Sequence, residues 1–235
     1  MDIGAILKKD KSCVVLTGSG VSAESGIPTF RGASGLWKNY RAEELASPEG
    51  WMRNPELVWE WYNWRRQIIG KAKPNAAHYV IADMEKFFTD FVLITQNIDG
   101  FHRKAGNKNI IELHGNIWRN KCFKCGKAFG EIISKKPQKC DCGGYIRPDV
   151  VWFGESLDKN ILETAFRAAQ QADIFLIIGT SGVVQPAASL PYLAKQNDAF
   201  LVEINIERTP ISSIVDEFIF GKAVEGMQGM RKMFL

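Results

Sequence analysis

The chain has 235 residues, 46% of them hydrophobic and 24% charged, and 30 Lys and Arg against 26 Asp and Glu leave a net charge of +4. That composition supplies a core for one large domain, or a domain with a module, and excludes disordered, collagenous and coiled-coil classes. The positive surplus is small and scattered, the apolar runs are far too short for a bilayer, and the N-terminus carries no signal-peptide stretch. The expectation is a cytoplasmic protein with no membrane partner and no specific nucleic-acid partner.

In chain order, apolar runs predict strands at 13–17, 90–95, 110–113, 173–178, 200–204 and 217–220. Helical patterns fall between them at 55–71, 75–88, 159–171 and 187–195. The alternation predicts an α/β fold with a parallel sheet. Most strands end in small or polar residues, TGSG, TQN, LHG, GTS and EIN. Ligands of such sheets bind outside the carboxyl ends of the strands, so one cleft along that edge is expected. Two segments break the alternation: a Pro- and Gly-containing loop at 27–53, and a cysteine-bearing stretch at 117–147 that reads as an inserted module needing a metal to fold.

After the first strand, Gly18-Ser19-Gly20-Val21-Ser22-Ala23 fits a relaxed dinucleotide fingerprint, in which glycines admit a pyrophosphate and a helix N-terminus favours the anion. A glycine-rich turn alone would read the same way. The acidic ribose partner of an ordinary dehydrogenase has no strand to sit on, and Asn205-Ile206-Glu207 offers a carboxylate instead. Gln96-Asn97-Ile98-Asp99 follows a strand and suits either a carboxamide and a ribose or a helix cap. Thr29-Phe30-Arg31 lies in the long loop and could cover a ligand. Of three histidines, His78 and His102 fall on helices and read as packing residues. His114 ends a strand in the expected cleft and is the candidate general base. Cys122-x2-Cys125-x14-Cys140-x-Cys142 is a four-thiolate set that predicts one closed, structural Zn2+; Cys13 reads as core. Tyr62 and Arg65 share a helix face at i, i+3 in a Trp-rich helix; a packed Tyr and a solvated Arg are the plain alternative.

Taken together, GSGVSAESGIPTFRG (18–32), QNIDGFHRKAG (96–106), ELHG (112–115), the four cysteines, VVWFGE (150–155), GTSGVVQPAA (179–188) and NIE (205–207) resemble the sirtuins, NAD-dependent protein lysine deacylases, over nearly the whole chain. The resemblance implies a Rossmann-like parallel-sheet large domain, at about 1–30, 90–116 and 148–235. It also implies a small inserted zinc-binding domain, built from a helical insertion at 31–89 and a zinc ribbon at 117–147. NAD is implied as co-substrate, with an acylated-lysine protein or peptide as the other substrate.

Carried onto this chain, Gly18, Ser19, Gly20, Ser22, Ala23, Glu24, Thr29, Phe30, Arg31 and Trp37 would line the NAD site. Gln96, Asn97, Ile98 and Asp99 would hold the nicotinamide end, Gly179, Thr180 and Ser181 the phosphate and ribose, Asn205, Ile206 and Glu207 the adenosine ribose, and Ala223 would lie near the adenine. His114, Asn97 and Phe30 would be catalytic, His114 taking a proton from a ribose hydroxyl and Phe30 excluding water. Val151, Trp152, Phe153, Gly154, Glu155, Val183 and Val184 would meet an extended peptide by strand addition. Tyr62, Arg65 and Ala46 resemble the acyl-pocket residues of class III sirtuins, which remove succinyl and malonyl groups. Ser19 departs from the family's usual G-A-G, and Gln185 stands where an aromatic residue is frequent. A plain deacetylase, a protein ADP-ribosyltransferase and a non-catalytic NAD sensor stay open as alternatives.

Overall fold

The computed structural model describes residues 3–29 and 42–234. The elements run α1 (Ile3–Ile6), β1 (Ser12–Thr17), α2 (Gly20–Ala23), α3 (Ala42–Leu45), α4 (Pro48–Arg53), α5 (Pro55–Lys71), α6 (Ala76–Phe87), β2 (Asp90–Thr95), α7 (Phe101–Ala105), β3 (Ile110–Glu112), β4 (Gly115–Cys122), β5 (Ala128–Phe129), β6 (Ile146–Val150), α8 (Lys159–Gln171), β7 (Ile174–Ile178), α9 (Leu190–Gln196), β8 (Phe200–Asn205), β9 (Glu217–Phe220) and α10 (Ala223–Phe234).

Six strands form one sheet in the order β3-β2-β1-β7-β8-β9, and every neighbouring pair is parallel. Alternation along β1 sends Cys13 and Val15 to one face and Val14 and Leu16 to the other. The first face packs on α1, α6 and α10 and the second on α8 and α9, so the sheet is doubly wound and Rossmann-like. From β1 the chain winds outward to β2 and β3, then returns to lay β7 on the other side of β1. The switch point therefore lies at the carboxyl ends of β1 and β7.

The helix expected at 75–88 is α6, capped as its sequence suggests: the Asn75 side chain accepts from Ala77 N at 3.0 Å, and the Asn75 N–H donates to His78 Nδ1 at 3.2 Å. His78 thus sits in the first turn of the helix, where its ring takes part in the cap. The Asn75 amide also donates to Val21 O at 2.8 Å and Ser25 Oγ at 3.0 Å, tying α6 to the glycine-rich turn. Residues 31–89 were expected as one helical insertion. Within that range α6 packs Val80, Ile81 and Met84 against the six-stranded sheet, whereas α4 and α5 build a separate Trp-rich core with β4 and β6.

The cysteine-bearing segment contains strands that the sequence did not reveal. β4 pairs antiparallel with β5 and β6, with a register shift between Asn116 and Asn120. The C-terminal helix α10 was also unexpected. No described helix is long and apolar enough to cross a membrane.

His78 and His102 are buried with ring centroids 4.9 Å apart, and the plain reading of both as packing residues holds. Burial pushes the His78 pKa from 6.5 down to about 4, and pushes His102 down as well. The unfolded chain therefore binds more protons than the folded one between pH 6.5 and about 4. The His78 contribution is intact above 6.5 and is lost as the pH falls through that window. Urea unfolding should show stability falling by roughly 2 kcal/mol from pH 7 to pH 5 on account of His78, and His78→Asn should flatten that dependence. An equally steep fall in the variant would assign it to other groups.

Candidate active site

At the switch point two loops meet backbone to backbone. A Cβ on Gly18 would lie 2.7 Å from Gly179 O, one on Gly20 2.7 Å from Gly179 Cα, and one on Gly179 2.7 Å from Gly20 C. No real Cβ tolerates such contacts, so all three positions require glycine. Gly20 N donates to Gly179 O at 2.8 Å and locks the pair. α2 is a single turn, so the cradle is made by this close backbone approach more than by a long helix dipole.

Above the loops opens a cleft of about 780 Å³. Gly18, Ser19, Gly20, Ala23, Glu24 and Thr29 form one wall, with Gly179, Thr180 and Ser181 beside them. Asn205, Ile206, Glu207 and Ala223 line the far end, and Gln96, Asn97, Ile98 and His114 the inner end. Ala46, Tyr62, Arg65, Val151, Trp152, Phe153, Gly154, Glu155 and Val184 close the other side. A strip this long, with a glycine cradle that a Cβ would fill, fits an extended dinucleotide beside a second substrate.

Three expected residues are not on the wall. Ser22 Oγ donates to Asp99 Oδ2 at 2.8 Å, and Asp99 Oδ1 accepts from Phe101 N at 2.8 Å, so the two side chains face each other behind Asn97. Burial pushes the Asp99 carboxyl up, and these bonds pull it back. Val183 is 45% exposed and does not line the cleft. Phe30, Arg31 and Trp37 lie outside the described residues.

The amides are held in place. Asn97 Nδ2 donates to Gly18 O at 3.0 Å, its backbone N–H to Thr95 Oγ1 at 3.0 Å, and Gln96 Nε2 to Thr180 Oγ1 at 2.9 Å. At the far end, Asn205 Nδ2 donates to Thr180 O at 2.8 Å. The fully buried Glu203 carboxylate accepts from Thr209 Oγ1 at 2.9 Å and Ser212 Oγ at 2.5 Å, holding the loop that carries Glu207. Sequence reasoning missed Glu203 because a lone Glu in a strand carries no signal of burial.

His114 Nδ1 lies 3.1 Å from Gln96 O. A carbonyl only accepts, so Nδ1 carries the proton and Nε2 keeps its lone pair. Burial lowers the His114 pKa and the Gln96 bond partly restores it, so the ring is a neutral base at pH 7. Gly115 follows with φ +79°, where a Cβ would meet Asp149 O at 2.2 Å; this turn sets His114 between β3 and β4.

Tyr62 and Arg65 are 2% and 5% exposed, on one face of α5. Trp152 Nε1 donates to the Tyr62 hydroxyl at 2.9 Å, and the Arg65 guanidinium lies 5.0 Å from the Trp61 ring centroid. Ala46 O accepts from Phe153 N at 2.9 Å, which fixes the small residue beside the pair. Burial pushes the Tyr62 phenol up and the Arg65 guanidinium down, and each group's charge partly offsets the other's shift.

The four cysteine sulfurs lie within 4.8 Å of one another, with Cys122 and Cys142 at 3.4 Å and Cys125 and Cys140 at 3.8 Å. Thiolates about 2.3 Å from a tetrahedral zinc stand roughly 3.8 Å apart, so the set fits a closed structural Zn2+.

The Sir2 family profile matches residues 18–186. An NAD-dependent protein deacylase of Aquifex aeolicus (strain VF5) is 53% identical over 219 residues, covering 92% of each chain. A Sir2 homologue mutant solved with ADP-ribose superposes with a TM-score of 0.95 at 44% identity, covering 100% of this chain and 96% of that one. A Sir2–p53 peptide–NAD+ complex gives 0.86 at 32% identity, covering 97% and 95%. This chain belongs to the Sir2 family.

For a Sir2 enzyme with His114 as base, kcat/KM should rise with pH along a limb whose midpoint lies below 6.5, then level off. His114→Ala should lose about 100-fold or more in turnover while keeping its folded circular dichroism. A variant at full rate would remove the assignment.

Proposed function

We propose that this NAD-dependent protein-lysine deacylase removes acidic acyl groups, succinyl and malonyl, in preference to acetyl. The observation that carries the reading is the buried Tyr62–Arg65 pair lining the cleft on the side opposite the glycine loops, beside Ala46 and the aromatic rings of Trp61 and Trp152. A distal carboxylate placed there gains charge-assisted hydrogen bonds from a guanidinium and a phenol in a site of low dielectric, worth about 1.5–3 kcal/mol each. An acetyl group offers neither acceptor, so selectivity of tens- to thousands-fold is expected.

In this reading Gly18–Gly20 would hold the pyrophosphate of NAD, and Asn205 and Glu207 its adenosine ribose. Asn97 and Gln96 would hold the nicotinamide ribose. The chemistry that bound NAD supplies is an electrophilic ribose carbon with nicotinamide as leaving group. His114 Nε2 would accept the proton of a ribose hydroxyl while Nδ1 keeps its bond to Gln96 O. With one water consumed, the products would be free lysine, nicotinamide and an O-acyl-ADP-ribose.

The peptide would run between residues 151–155 and 182–185. The N–H groups of Val151, Trp152 and Phe153 already donate to His114 O, Glu155 Oε2 and Ala46 O. A peptide would therefore pair with carbonyls and with the Gly154 N–H. The Glu155 side chain is held by Arg147 and serves this segment rather than the substrate.

Mass spectrometry of matched succinyl- and acetyl-lysine peptides, with and without NAD, tests the reading. The succinyl peptide should react faster, and only with NAD. Arg65→Met should lose desuccinylation far more than deacetylation; equal losses would remove the carboxylate role.

A further inference from the structure

The Tyr62 hydroxyl has one partner among the described residues, the indole of Trp152. An indole N–H can only donate, so the phenol oxygen must be the acceptor in that contact. The single Tyr62 proton is therefore left for an acceptor elsewhere, and Tyr62 lines the cleft. Burial keeps the phenol protonated, so that proton is present at neutral pH.

Trp152 is itself unable to turn away. The Arg147 guanidinium carbon sits 3.2 Å from its ring centroid, and the Trp51 ring lies 5.6 Å from it on another side. Its backbone N–H donates to Glu155 Oε2 at 2.8 Å. Arg147, 1% exposed in its side chain, is fixed by an ion pair to Glu155 and by donation to Val150 O at 2.5 Å and Pro148 O at 3.2 Å. The chain Arg147–Glu155–Trp152–Tyr62 thus runs from β6 across the cleft wall to α5.

We propose that Trp152 is a specificity-determining positioning residue: its indole N–H takes the Tyr62 oxygen as acceptor and so commits the Tyr62 proton to the distal carboxylate of an acidic acyl group. The proposal rests on the acidic-acyl reading above and deepens it. Without the indole N–H, the phenol would rotate among orientations and lose its aim, while the cavity would keep its apolar walls. The loss would then fall on the acyl group that needs the proton, and on KM more than on kcat.

A double-mutant cycle tests this on the full-length enzyme, with KM and kcat read for succinyl- and acetyl-lysine peptides. Trp152→Phe keeps a ring over Arg147 and deletes the donor. It should lower the succinyl-to-acetyl ratio of kcat/KM by about ten-fold, mainly through the succinyl KM. In a Tyr62→Phe background the same change should move the ratio less than about two-fold, because the group through which Trp152 acts is gone. Should Trp152→Phe fold poorly, β-(3-benzothienyl)alanine at position 152 removes the N–H with little change in volume. An equal loss on both peptides, or an undiminished effect in the Tyr62→Phe background, would overturn the proposal. Arg65→Met in parallel separates the two readings. If it collapses the ratio and the loss of the indole N–H does not, the carboxylate site stands and the role of Trp152 fails. If neither moves the ratio, the acidic-acyl reading fails and takes this proposal with it.

Discussion

Everything at the cleft depends on the backbone contact between Gly18, Gly20 and Gly179. A doubly wound sheet leaves a gap where the chain reverses direction, here at the carboxyl ends of β1 and β7. Two loops leave that edge side by side, and only residues without Cβ let them close to hydrogen-bonding distance. Once they are closed, the amide of Asn97 reaches Gly18 O and Gln96 reaches Thr180. Three strand ends, those of β1, β2 and β7, then share one rigid floor. A ligand cradle follows from the topology, and the glycines allow it to be narrow.

The side of the cleft that carries Tyr62 and Arg65 is organised differently, by stacked rings and buried charge. Trp152 packs 5.6 Å from Trp51 and 6.5 Å from Phe123, and Phe123 lies inside the Cys122–Cys125 knuckle. The four-cysteine site thereby supports the wall on which Tyr62 and Arg65 rest, though no cysteine touches the cleft among its described walls. A closed set of four thiolates is suited to that supporting role and leaves no open position for catalysis. His114, by contrast, belongs to the turn after β3, so the proposed base and the proposed acyl contacts come from different layers of the fold.

Much of this was legible in the sequence, for identifiable reasons. The strands of the parallel sheet are buried on both faces and read as unbroken apolar runs. Their polar ends are the cleft, so the motif positions and the site coincide. β4 and β6 stayed hidden because they bury polar side chains with internal partners: Asn120 accepts from Arg66, and Arg147 pairs with Glu155. α10 stayed hidden because Gly226 and Gly229 depress helix propensity, yet Gly226 is needed where a Cβ would meet Ile204 Cγ2 at 2.4 Å. The mutual bond of Ser22 and Asp99, which turns both from the cleft, is a matter of side-chain direction that spacing does not encode. Nor does sequence reveal that the Trp152 indole reaches Tyr62 from ninety residues away.

The most direct test of the account is a crystal structure with a succinyl-lysine peptide and a non-hydrolysable NAD analogue bound together. The pyrophosphate should lie over Gly18 and Gly20, a ribose hydroxyl should face His114 Nε2, and the succinyl carboxylate should sit within hydrogen-bonding distance of both Arg65 and the Tyr62 hydroxyl. A carboxylate pointing to solvent, with Tyr62 and Arg65 engaged only with protein, would contradict it.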